Sequence, residues 1–196
     1  MNMFPRIRIM ATLALVLTGG FLYAQSSYPL SGDCSIKIHG DSNLHGWEET
    51  AKKVSGSSQI SWNSDGTFNV TALRLAIDVM SIKSTEGSTM NNKTYKALNA
   101  SKNPSITFTL TTPLKSVANG SMINATGNLT IAGVTRQVVL HVKATTYGHS
   151  KIVFDGSQKI KMSEFGITPP TALLGTLKVA DNVTIKFITN FATNII

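Results

Sequence analysis

Apolar and polar residues alternate in run after run of this chain. No other feature constrains the fold as tightly, because a period of two sends every second side chain to the same face of an extended strand. Cys34, Ile36 and Ile38 alternate with Ser35, Lys37 and His39, and Leu73, Leu75, Ile77 and Val79 with Arg74, Ala76 and Asp78. Phe68, Val70 and Ala72 hold the opposite parity, so a bulge near residues 71–73 is predicted. Ile106, Phe108 and Leu110 alternate with threonines, and Ile123, Ala125, Gly127, Leu129 and Ile131 share one face. Val138, Leu140, Val142 and Ala144 face away from Gln137, His141 and Lys143. Ile152 and Phe154, then Ile160 and Met162, read as a broken pair of runs, and Val183, Ile185, Phe187 and Phe191 close the series.

Between the runs lie turn signals: Asn63-Ser64-Asp65-Gly66, Asn119-Gly120, Ala132-Gly133, Tyr147-Gly148-His149-Ser150 and Ala180-Asp181-Asn182. Connections this short make antiparallel neighbours. Residues 88–98 break the rhythm. Met90, Thr94, Ala97 and Leu98 fall at helical spacing, with a Ser or Thr cap before them and Asn103-Pro104 after, so one short helix is expected. A further helical turn is expected at Thr171 to Leu174, behind Pro169-Pro170. Some eight strands must close into a barrel or pack as a sandwich, since open edges invite aggregation. Composition alone does not choose between the two. The inward positions read as Leu, Ile, Val and Phe without a charge, which suits a filled core or an apolar cavity equally.

The first residues point to export. Arg6 and Arg8 precede an apolar stretch that ends in Leu22-Tyr23-Ala24 before Gln25-Ser26-Ser27. This is the pattern of a secretory signal peptide over residues 1–24, with cleavage after Ala24 and a mature domain over 25–196. The stretch is interrupted by Thr18-Gly19-Gly20 and falls short of the roughly 20 apolar residues of a membrane span. A periplasmic or secreted location follows as the expectation. A lipoprotein does not, because the lone cysteine, Cys34, lies far downstream; it cannot form an internal disulfide and is read as a buried strand residue. The formal charge of +8 falls to +6 once Arg6 and Arg8 leave. The remaining lysines are scattered on predicted solvent faces, which disfavours nucleic acid as a partner and leaves a mild attraction to an anionic membrane surface.

Few residues suggest reaction chemistry. His39 and His45, with Asp41 between them, could hold a metal, but no third His or Cys is near in sequence, and a loop whose polar groups satisfy the backbone is the ordinary reading. Asp33, Asp65, Asp155, Asp181, Glu48, Glu49 and Glu86 fall at predicted turns, strand ends or solvent faces, and Asp78 shares a face with Arg74 as an ion pair would. Glu164 reads as a turn cap. No nucleophile has a recognisable elbow such as Gly-x-Ser-x-Gly. No catalytic residue, metal or cofactor is expected.

Four motifs in order resemble a known family. They are Ile77-Asp78-Val79-Met80-Ser81-Ile82-Lys83-Ser84; the helical segment running into Asn103-Pro104-Ser105-Ile106-Thr107-Phe108; Gly127-Asn128-Leu129-Thr130-Ile131-Ala132-Gly133-Val134-Thr135; and Met162-Ser163-Glu164-Phe165-Gly166-Ile167 with Val179-Ala180-Asp181-Asn182-Val183. Together they resemble the YceI-like family of polyisoprenoid-binding, lipocalin-like proteins. That resemblance implies an all-β fold, an eight-stranded antiparallel barrel with one short helix, and a non-enzymatic role in holding or carrying an apolar, isoprenoid-like lipid. The alternative is a filled structural barrel whose loops bind a partner protein. Residues 39–47 resemble a branch of the family with a Gly-x-Ser-x-x-His-x-Trp loop rather than its better-known isoprenoid carriers. The wall expected to meet lipid is Ile36, Ile38, Leu75, Ile77, Val79, Phe108, Leu110, Leu129, Ile131, Leu140, Val142, Phe154, Phe165, Ile185 and Phe187. Met90, Tyr95 and Leu98 are expected on a helical flap at the mouth, where Lys93 or Lys96 could meet a head group.

Overall fold

The computed structural model describes residues 26–172 and 176–193, so the expected signal peptide lies outside the described residues. Thirteen strand segments and one α-helix follow in order: β1 (Ser26–Pro29), β2 (Ser35–Ser42), β3 (Gly46–Ala51), β4 (Val54–Trp62), β5 (Phe68–Asp78), β6 (Ile82–Ser84), α1 (Ser88–Ala97), β7 (Ser105–Leu110), β8 (Leu114–Val117), β9 (Met122–Ile131), β10 (Val134–Tyr147), β11 (Lys151–Lys161), β12 (Thr171–Ala172) and β13 (Leu177–Ala192).

The expected count of eight is corrected to thirteen, and pairing shows why the two numbers coexist. β1 with β2, β3 with β4, β5 with β6 and β7 with β8 each run as one interrupted strand, and β9, β10, β11 and β13 complete eight walls. All partners are antiparallel, in the order β4–β5–β7–β9–β10–β11–β13–β2–β3. Since β3 continues into β4, the ring closes. Period-two sequence is blind to where such strands bend. One bend is shared by two neighbours: β3/β4 breaks at Lys52 and Lys53, and β5/β6 breaks opposite at the 3-10 turn Val79–Ser81. The Lys52 amide donates to the Ser81 carbonyl (3.1 Å) and the Asp78 amide to that of Lys53 (3.1 Å), which carries the ladder across the gap. Asp78 caps the turn by accepting from the Met80 amide (2.9 Å), in place of the expected pairing with Arg74.

The predicted bulge falls where parity placed it: Gln59 pairs with Ala72 and Ile60 with Val70, leaving Thr71 as the extra residue. Ala132 (φ 49°) and Gly133 (φ 82°) form the tight β9–β10 turn, with both central residues left-handed as a type I′ hairpin requires. Two other expectations are corrected. Ala180-Asp181-Asn182 is a bulge within β13, not a turn, since Asn182 pairs with Lys161 and the register to β2 shifts between Val179 and Val183. Thr171 and Ala172 are extended and pair with β13, so the expected helical turn is absent there, and its residues 173–174 lie outside the described residues. Ile152 to Ile160 likewise belong to one unbroken strand, the apparent gap being inward-facing Gly156 and Gln158.

The interior has two unlike ends. At one, Tyr28, Ile60, Phe68, Val70, Phe154 and Phe191 pack into a solid plug, with Tyr28 at 2 % exposure and Phe68 and Phe191 at 0 %. Trp62 stacks on His149 (4.3 Å) over this end and donates its indole N–H to the Tyr28 hydroxyl (2.9 Å), which in turn donates to the His149 carbonyl. At the other end α1 lies across the barrel, with none of its residues fully buried.

Candidate functional site

Three cavities lie one behind another inside the barrel, with volumes of about 100, 80 and 40 Å³ from the α1 end toward the plug. The first and second share Ile106 and Ile185; the second and third share Leu75, Phe108, Leu140 and Phe187. They are segments of one lumen, narrowed first at Ile106 and Ile185 and deeper in by the rings of Phe108 and Phe187. The ring of Phe108 packs against Gly127, where a Cβ would sit 2.4 Å from its Cζ, so only glycine admits that close approach. The barrel is therefore hollow near α1 and filled at the far end, a combination the alternation could not foresee.

Of the expected wall, Ile36, Ile38, Leu75, Ile77, Phe108, Leu110, Leu129, Ile131, Leu140, Val142, Phe154, Ile185 and Phe187 line the lumen, as do Met90 and Leu98 of α1. Three do not. Val79 is buried in the 3-10 turn, and Phe165 is buried in a second one (Met162–Phe165) packed beside the barrel end. Tyr95 is a tether: its hydroxyl binds the carbonyls of Met80 and Ile82 (2.9 Å each) and accepts from the Lys83 ammonium (2.6 Å). Trp47, Ile82, Thr94, Ile167 and Val179 line the lumen unforeseen, and Ile106, Ile160, Met162 and Val183, which alternation places in the strand runs but not in the expected wall, line it too.

The wall is also not free of polar groups. Glu49, expected at a turn, strand end or solvent face, is only 3 % exposed and faces the outermost cavity. Its signal was present in parity, because Trp47, Glu49 and Ala51 share one face of β3 while Glu48 takes the other. Burial pushes the Glu49 carboxyl above the usual range; the Thr94 hydroxyl, donating to Oε1, pulls it back in part, and the charge of Glu86 raises it further. Glu48 behaves oppositely: the Lys37 ammonium, 2.9 Å away on the outer face, holds it below the usual range.

Outside the lumen, a mouth pocket of about 80 Å³ is lined by Ser42, His45, Trp47, Glu86, Met90 and Lys93 with four further residues. Trp47, Met90, Pro170 and Val179 belong to both this pocket and the first cavity, so the lumen opens here, under α1. The helix starts without the expected Ser or Thr cap; Gly87 (φ 90°) is its N-cap and makes no side-chain bond. It is held instead by Thr94 on Glu49, Tyr95 on β6, and the Asn91 side chain accepting from the Ser84 amide (2.7 Å).

Residues 39–47 form the β2–β3 hairpin, whose tip is held by a side chain that satisfies backbone groups. His39 and Asp41 are in β2, and the tip is Asn43 to His45, where Ser42 Oγ donates to the His45 carbonyl (2.8 Å) and accepts the amides of Leu44 and His45. The two histidines go to different carboxylates, His39 to Glu48 (3.3 Å) and His45 to Glu86 (3.6 Å). Among the described residues no three His, Cys, Asp or Glu side chains converge. Cys34 sits just before β2, half-buried, and burial raises its thiol. Glu164 is in the second 3-10 turn, but the turn is held by Asp181, which accepts from the Ser163 amide (2.8 Å) and hydroxyl (2.6 Å).

Residues 34–191 match the model of the YceI-like domain. The chain belongs to that family. Among curated relatives, a UPF0312 protein of Pseudomonas aeruginosa is 41% identical over 75 residues, covering 36% of this chain and 38% of that protein. Protein YceI of Salmonella arizonae is 31% identical over 117 residues, covering 53% and 60%. The match thus spans less than two thirds of the length of these relatives. Among solved structures, BcnA of Burkholderia cenocepacia superposes with a TM-score of 0.62 at 27% identity, over 82% of this chain and 96% of that one. A polyisoprenoid binding domain from Saccharophagus degradans superposes with a TM-score of 0.67 over 85% and 98%, and at 15% identity it shows a shared fold. For this YceI-like barrel, the open lumen under α1 is the site on which a function can be built.

Proposed function

We propose that this YceI-like protein is a non-enzymatic carrier or store of an apolar, isoprenoid-like lipid in the cell envelope, with the lipid chain lying in the lumen. The observation that carries this reading is the apolar lumen itself, open at α1 and stopped by the aromatic plug. Family membership supports it, as does the shared fold with a domain described as polyisoprenoid binding. The energetics need no special motif. Each buried methylene contributes roughly 0.8 kcal/mol, and ordering a flexible chain offsets part of that gain. A solid stop at one end makes entry and exit one-sided. Chain length is then read by how far the lipid reaches between the rings of Phe108 and Phe187, whose side chains line the innermost two cavities. A single carboxyl, Glu49, is the only acid or base among the described residues lining these cavities, which gives general acid–base chemistry no partner there.

Export through the signal peptide would place the protein beside its lipid source. Leu44, 69 % exposed at the hairpin tip near the mouth, and Lys93 at the rim are the groups that would meet a membrane surface during transfer. Protein purified from its host without detergent, extracted with organic solvent and examined by mass spectrometry is expected to yield a stoichiometric long-chain lipid. Extracts with no lipid, together with no uptake of added isoprenoid by the purified protein, would overturn the reading.

A further inference from the structure

Among the described residues, the polar groups of the outermost cavity gather at the α1 end. Trp47 and Glu49 are two residues apart on β3, hence side by side on one face at about 7 Å spacing. Thr94 reaches Glu49 from α1 and occupies Oε1, while Oε2 has no hydrogen bond among the described residues. The indole Nε1 of Trp47 is buried and has no hydrogen-bond partner. A buried donor is costly when unpaired, yet the structure holds the Trp47 Nε1 in place. Gly40 lies opposite Trp47, and the indole packs so closely on it that a Cβ there would sit 2.2 Å from Cζ2.

We propose that Trp47, Glu49 and Thr94 form a head-group subsite that takes an uncharged hydroxyl, the alcohol or phenol end of an apolar chain, and rejects the phosphate ester of the same chain. This rests on the lipid-binding reading and adds which end group the lumen accepts. A hydroxyl both donates and accepts, so one group can satisfy Glu49 and Trp47 together. An ammonium could bind Glu49 but cannot accept from the indole. A phosphate brings negative charge to a cavity lined by one acid and no lysine or arginine, where its desolvation has no compensation. Lys93 and His45 line the outer pocket, where Glu86 lies 3.6 Å from His45, and the Lys83 ammonium is held by the Tyr95 hydroxyl (2.6 Å). An anionic head would be held outside, with its chain withdrawn from the lumen by the same distance.

The test compares geranylgeraniol with geranylgeranyl monophosphate, each titrated calorimetrically into the full chain below the detergent's micelle concentration. The alcohol is expected to bind at least about tenfold more tightly, a difference of one decade in Kd. In Glu49→Gln that preference should shrink at least about threefold, mainly through tighter phosphate binding, and Trp47→Phe should weaken the alcohol alone. Equal affinities of the unaltered protein for the two probes would overturn the subsite and leave lipid binding standing. No binding of either probe would remove both. An unchanged preference in a folded Glu49→Gln would also overturn it; should that variant fail to fold, Trp47→Phe and the preference of the unaltered protein decide.

Discussion

Glu49, 3 % exposed and bound by a threonine hydroxyl, makes a contribution to stability that depends on pH. Its carboxyl titrates above the ordinary 4.5 in the folded barrel, and near that value once unfolded. Below about pH 4.5 both states are protonated and the group has no effect; as pH rises through the folded value, the buried form must ionise and stability is lost. Glu86, itself beside His45 and Lys93 in the mouth pocket, adds to the effect. Glu49→Gln keeps an acceptor for Thr94 and removes the charge. Urea unfolding at pH 4 and pH 8 should therefore show the variant gaining on the natural protein only at the higher pH. A variant equally stable relative to the natural protein at both values would show that the fold does not raise the Glu49 carboxyl above its ordinary value. The plug gives a second residue-scale expectation. Phe68→Ala, at a position with no exposure, should cost about 3–5 kcal/mol, read as a lower denaturation midpoint with an unchanged slope. Phe68 was legible as inward from parity alone. Glu49 was legible only if Trp47 had been taken as the marker of the face, since two adjacent glutamates offer parity no preference.

At the scale of elements, α1 is lightly anchored. It lacks fully buried residues and a side-chain N-cap, and it is tied down by a few side-chain bonds. Tyr95→Phe removes the hydroxyl that binds the Met80 and Ile82 carbonyls and receives Lys83. Hydrogen exchange at the amides of α1 should accelerate, by roughly fivefold if about 1 kcal/mol is lost, while amides in β9 and β10 keep their protection. Uniform acceleration would mean that α1 unfolds only with the barrel. The helix was visible in sequence because its spacing departs from two and because Asn103-Pro104 stops it. The bulge in β13 was not. Ala180-Asp181-Asn182 has turn composition, and only the neighbouring strands, which pair on both sides of it, show that the chain runs on.

For the whole molecule, the split between open and plugged halves predicts that lipid capacity and fold stability can be altered separately. Ile185 borders both the first and second cavities. Ile185→Phe should fill the passage and reduce geranylgeraniol binding by at least about tenfold, with a thermal midpoint within a few degrees of the natural one. Undiminished binding would place the lipid elsewhere. Alternation of apolar and polar residues, with turn residues at short intervals, was enough to specify antiparallel strands and which side chains face inward, because period two maps directly onto the two faces of a strand. Ordered motifs added the family. What no linear pattern encodes is how the interior is shared out. Inward leucines, isoleucines and phenylalanines look alike in sequence whether they pack into a solid plug, as Phe68, Phe154 and Phe191 do, or leave a passage, as near Ile106 and Ile185. Strand bends at residues 52–53 and 79–81, the closure of β13 onto β2 and the placement of α1 decide that, since packing depends on distances between walls and not on the order of residues within one.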